Sequence, residues 1–166
     1  INSITTALYG ENFGFIQSEV EALLDFYGLK ENMDTVQQWY DGYRFGNAEV
    51  YNPWSVISYV KSCCGDRQAL PRPYWSNTSS NSIVRSLVER ADLSVKQEIE
   101  ALIEGKTIIK PIHEDITYED IDSTQENLWN FLFFTGYLKK ISEYQEGENI
   151  YIEMAIPNRE VRYIYK

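Results

Sequence analysis

Apolar positions fall into two rhythms along this chain, one close to every third or fourth residue and one close to every second. Val20, Leu23, Leu24 and Tyr27 keep the helical spacing. They follow Ser18-Glu19-Val20-Glu21, where serine and glutamate stand in capping-box register, and Gly28 offers a left-handed stop. A second short helix is expected over 35–40. Tyr43-Arg44-Phe45, Gly46-Asn47-Ala48 and Glu49-Val50-Tyr51 then read as a small β-hairpin about a Gly-Asn turn. Asn52-Pro53 supplies a cap and a first helical residue for a helix through Ser62, and two prolines make 65–73 a loop.

The pattern continues with helices over 82–90 and 95–104, the second capped by Ser94-x-x-Gln97 and stopped by Gly105. A short strand is expected at 107–109. Ser123-Thr124-Gln125-Glu126 repeats the capping-box signature, and the helix it opens carries Leu128 and Leu132 before Gly136. Strands over 137–144 and 150–156 flank the polar turn Glu146-Gly147-Glu148-Asn149, and Pro157-Asn158 opens a terminal helix. The fold class predicted is mainly α with small β-hairpins (α+β). Residues 1–105 form a helical region with a hairpin near 43–51, and 106–166 a winged-helix-like region, unless the two merge into one compact domain. A helix beneath a hairpin makes a winged-helix unit, and other α+β packings share that order.

Composition narrows the chemistry. The 166 residues are 43% hydrophobic, enough for a core without metal or disulfide support. Fifteen Lys and Arg against 25 Asp and Glu give a net charge of −10, which disfavours a nucleic-acid backbone as the main partner. The two cysteines, Cys63 and Cys64, are adjacent. Neighbours bridge only with strain and lack a zinc spacing, so a reducing, cytoplasmic setting is expected. No apolar run is long enough for a membrane span, and no membrane partner is expected. The first residue, isoleucine, suggests a piece of a longer protein.

The catalytic signatures are weak. Gly105-Lys106-Thr107 imitates the end of a phosphate-binding loop, but Glu100 occupies the position where that loop needs its first glycine. Its surroundings also run helix to strand, the reverse of the required order, so a helix stop is the expected role. Glu104-x-Lys106 is the acid-x-lysine pair of metal-dependent nucleases, with Asp92 the upstream carboxylate to complete it. Both the pair and Asp92 are expected outside strands. His113, the one histidine, lies beside Glu114 and Asp115, which fits a solvated loop better than a metal site. No catalytic, cofactor-binding or metal residue is assigned.

The aromatic content is more informative. Trp39-Tyr40-Asp41-Gly42-Tyr43-Arg44-Phe45 concentrates rings around an Asp-Gly turn. Such a patch can form the core under a hairpin, dock on another domain, or stack on sugars or bases. Arg44 among the rings can stack or reach a phosphate supplied from elsewhere.

Six ordered segments together carry a resemblance. They are Gly14-Phe15 with Glu19-Val20, then Trp39 to Gly46, Tyr51-Asn-Pro-Trp-Ser-Val56, Tyr74-Trp75 with Asn77-Thr-Ser-Ser-Asn81, Phe134-Thr-Gly-Tyr-Leu138 and Ile156-Pro-Asn-Arg-Glu-Val161. The chain resembles the AAA-ATPase-like family, once a family of unknown function, whose members couple a P-loop ATPase module to a PD-(D/E)xK nuclease-like domain. The phosphate-binding loop precedes the matched region and the nuclease-like domain follows it, and Ile16 stands where the family has threonine. The resemblance therefore implies a non-catalytic lid and linker, with adjacent ATPase and nuclease-like domains as partners. ATP and Mg are implied only for the full-length parent. Candidate interaction residues are Trp39, Tyr40, Asp41, Tyr43, Arg44, Trp75 and Asn77 on the lid side. Lys139, Lys140 and Arg159, with Arg162, are the basic residues of the alternative reading, a module whose hairpin binds nucleic acid. A carbohydrate-binding surface is the third.

Overall fold

The computed structural model describes residues 14–45, 48–77, 79–113 and 125–166. They form a mainly α fold with small antiparallel sheets, as the sequence pattern predicts. Two compact units divide the chain between 77 and 78, the first also taking 158–163 and the second 164–166.

The first unit begins with Phe15 bridged to Tyr51 and helix α1, Gln17–Phe26. The expected capping box at Ser18 is displaced. The helix starts directly after the bridge, Ile16 is the boundary residue, and Glu19 Oε1 accepts the Ile16 amide at 3.1 Å. Gly28 adopts φ +69°, the left-handed turn that a side chain resists. Helix α2, Met33–Tyr40, leads to the hairpin β1, Tyr43–Phe45, and β2, Ala48–Val50, whose turn lies outside the described residues. Asn52 Oδ1 then accepts the Ser55 amide at 3.3 Å and starts helix α3, Pro53–Gly65, with proline in its first turn. Val20, Leu24, Val36, Tyr51, Val56 and Val60 are among the buried residues that join α1, α2 and α3. A 3-10 turn at Tyr74–Asn77 ends the continuous part of the unit.

The second unit holds α4, Ser79–Arg90, and α5, Leu93–Ile103. Asp92, rather than Ser94, caps α5: its Oδ1 accepts the Val95 amide at 3.0 Å and the Ser94 hydroxyl at 2.7 Å. Val95, Ile99 and Leu102 form the buried stripe of α5. Next come β3, Ile108–Pro111, α6, Gln125–Phe134, and the hairpin β4, Lys139–Glu146, with β5, Asn149–Ala155. The capping box at Ser123 lies outside the described residues. Strand β3 pairs with β5, giving the sheet order β3-β5-β4. Ile108, Ile152 and Met154 face inward from this sheet, and Ile109 and Tyr144 outward.

The division between units falls before α4 and not at 105/106. Side chains explain the difference: Lys110 on β3 pairs with Glu98 on α5 at 2.7 Å, Gln125 on α6 bonds Asp92, and Tyr137 bonds Asn81 on α4. Those contacts fasten the helices before residue 105 to the sheet that follows it. The last helix is α7, Arg159–Tyr165.

Candidate functional site

The terminal segment enters the first unit through Asn158. Its Oδ1 accepts the Val161 amide at 2.9 Å and starts α7, while its Nδ2 donates to the Asp41 carbonyl at 2.6 Å. That double anchor turns Glu160 inward, where it has no solvent exposure. Tyr43 Oη donates to Glu160 Oε1 at 3.1 Å. Ser55 Oγ donates to Oε2 at 2.6 Å, and the Trp75 amide does so at 3.2 Å. The Tyr74 amide donates instead to the Arg72 carbonyl at 3.0 Å. Glu160 thus joins residues distant in sequence: β1, the first turn of α3 and the 3-10 turn.

Burial raises the affinity of Glu160 for its proton above the ordinary carboxyl value, and the bonds from Ser55, Trp75 and Tyr43 oppose that shift. The Tyr43 phenol is also raised, first by burial and then by the charge of Glu160. Glu160 makes no ion pair among the described residues. Ser55 has a carboxyl as its acceptor where a catalytic serine would have imidazole, and His113 belongs to the second unit. The centre can fasten segments together; it is not arranged for acyl transfer.

Rings surround it. Trp75 meets Tyr43 edge-on at 5.5 Å, Tyr40 packs with Tyr59 and Tyr74, and Trp39 stacks on Tyr163 at 5.5 Å. Tyr40 is fully buried, accepting the Arg72 amide at 3.2 Å and donating to the Arg72 carbonyl at 2.9 Å. Of the aromatic patch, Tyr40 and Tyr43 are therefore core, and Trp39 and Trp75 are half-buried. Asp41 contributes its carbonyl to Asn158. Arg44 lies opposite Glu49 on β1, and its side chain and that of Asn77 lie outside the described residues.

A smaller centre forms in the second unit. Tyr137 Oη donates to buried Asn81 Oδ1 at 2.6 Å, and Tyr165 Oη donates to the Tyr137 carbonyl at 3.0 Å. Asn81 and Tyr137 come from two of the six segments that carry the family resemblance.

The weaker motifs separate in space. Gly105, at φ +94°, terminates α5, with the Lys106 amide donating to the Ala101 carbonyl at 3.0 Å. This helix stop and Glu100 do not fit a phosphate cradle. Glu104 and Lys106 form an exposed ion pair at 3.0 Å, whereas Asp92 caps the opposite end of α5, about 16 Å away for eleven residues. His113 donates its amide to Asn130 Oδ1 at 2.5 Å, and Glu114 and Asp115 lie outside the described residues. Among the described residues no cluster of three His, Cys, Asp or Glu has metal-binding geometry.

Lys139 and Lys140 stand at the base of the hairpin, opposite Ala155 and Met154, and Lys140 pairs with Glu143 at 3.4 Å. Glu143, Glu146 and Glu148 occupy the distal part, so the hairpin presents acid where a nucleic-acid ligand would need base. Arg159 is exposed at the start of α7 and belongs to the first unit with Arg162. None of the described helices is long and apolar enough to cross a membrane. The chain matches no family model, and neither the curated proteins nor the solved structures contain a significant match.

Glu160 is the residue that sequence reasoning passed over. Its signal was present: Val161, Ile164 and Tyr165 define the apolar face of α7, and Glu160, one turn before Ile164, falls on that face.

Proposed function

We propose that this chain is a non-catalytic lid and linker of a larger P-loop ATPase that carries a nuclease-like partner domain. The observation that carries the reading is the Glu160 centre. It gathers the 39–46, 51–56, 74–81 and 156–161 segments of the resemblance and engages their polar atoms with one another. Residues shared with an ATPase family but used for internal bonding fit a part that is shaped for the chemistry of other modules. In the intact protein, Arg44 and the half-buried ring of Trp39 are the groups assigned to the contact with the nucleotide-bearing module. A cytoplasmic setting goes with this reading.

Calorimetric titration of the chain with Mg-ATP is expected to show no binding. The protein with its natural flanking sequence is expected to hydrolyse ATP, more slowly after Arg44→Ala or Trp39→Ala. Stoichiometric nucleotide binding by the chain alone would sink the proposal, as would flanking sequence without G-x-x-x-x-G-K-[ST].

A further inference from the structure

We propose that Glu160 is a proton-controlled latch that fastens residues 158–163 to β1, α3 and the 3-10 turn of the first unit. The geometry is that of a latch in three respects. The carboxyl is wholly withdrawn from water, and its oxygens collect donors from β1, α3 and the 3-10 turn, elements far from 158–163 in sequence. The docked segment is also held by the Asn158–Asp41 bond, the Trp39–Tyr163 stack and the burial of Val161.

The groups facing the carboxyl are mostly uncharged. Tyr43 from β1 and Tyr40 from α2 are phenols, Ser55 from α3 is a hydroxyl, and Trp75 contributes an amide. Asp41, in the loop between α2 and β1, is a further acid whose carbonyl holds Asn158. On α7 itself, Arg159 is exposed and Arg162 has a buried Nε with no hydrogen-bond partner. Docking therefore withdraws a carboxyl from water with no ion-paired cation among the described residues, a setting that disfavours the ion. The neutral donors act in the opposite direction and leave the net balance with the neutral acid.

The sign follows from linkage. Because the docked carboxyl holds its proton more tightly than the free one, docking is favoured below the ordinary carboxyl range. It weakens as pH rises from there through the docked value. Each unit separating the two values changes the opening equilibrium about tenfold.

Amide hydrogen exchange of the full chain, corrected for intrinsic rates, tests the latch at the Trp75 amide and across residues 158–163. Opening is expected to increase with pH in the wild type and to be flat in Glu160→Gln, whose neutral amide cannot ionise. Should that variant fail to fold, Ser55→Ala decides. It removes a donor that favours the ionised carboxyl, so the opening midpoint is expected at higher pH. A wild type whose opening does not change with pH, equal pH dependence in the wild type and Glu160→Gln, or an unmoved midpoint in Ser55→Ala would overturn the proposal.

Discussion

At the residue scale, Glu160 behaves as a core residue that happens to be an acid. Replacing it by alanine leaves the Ser55 hydroxyl and the Trp75 amide buried without an acceptor. Each such group costs about 1–3 kcal/mol, more than the net gain of an ordinary hydrogen bond. Denaturant titration is expected to show Glu160→Ala less stable than Glu160→Gln, because glutamine keeps an acceptor oxygen in the pocket. Equal loss from both would mean that filling the space, and not accepting hydrogen bonds, is what the side chain does. In the second unit, Tyr137→Phe is expected to cost about 0.5–1.5 kcal/mol, the net contribution of the hydrogen bond it removes from Asn81. Cys63 illustrates the opposite case: it is buried beside Tyr59 and Asn32, and burial pushes its thiol up, away from the reactive thiolate.

At the element scale, local chemistry decides where helices begin and end. Asp92 ends up as the cap of α5 because its carboxylate reaches the Val95 amide, and its bonds to Val95 and Ser94 hold its pKa below the usual carboxylate value. Asp92→Ala is expected to lower stability at neutral pH by removing the cap. The difference should shrink as acid protonates Asp92 in the wild type, a trend that urea melts at several pH values can follow. Gly14 makes a different demand. A Cβ there would lie 2.7 Å from Val50 Cβ and Cγ2 and 3.0 Å from the Tyr51 carbonyl. Gly14→Ala must push β2 away or break the Phe15–Tyr51 bridge, at a cost of about 1–3 kcal/mol on thermal unfolding. Unchanged unfolding would show that this bridge carries no weight.

For the whole molecule, charge outranks topology. The sheet places β3 beside β5, and the hairpin of β4 and β5 carries Glu143, Glu146 and Glu148 on a chain of net charge −10. Binding to duplex DNA is expected to be undetectable in a shift assay even at about 50 mM salt, where phosphate contacts are strongest. Retention that vanishes by about 200 mM would restore the nucleic-acid reading of Lys139 and Lys140.

Sequence alone specified what depends on neighbours a few residues apart. Gly28, Gly105 and Gly136 stop helices because only a residue without Cβ turns left-handed at no steric penalty, and Asn52-Pro53 starts one because cap and fixed φ lie side by side. Aromatic and branched residues beside a Gly-Asn turn announced the first hairpin, and a polar turn between two strand-like runs the second. Two caps, at Ser18 and Ser94, were misplaced because several acceptors competed for one helix start, and chain geometry outside the helix selected among them. The Glu160 centre required the tertiary structure. Its donors come from residues 43, 55 and 75, and no periodicity within any one segment records that they will share a carboxyl. Which polar atom loses its water on folding is fixed by what packs over it, and that depends on the path of the entire chain.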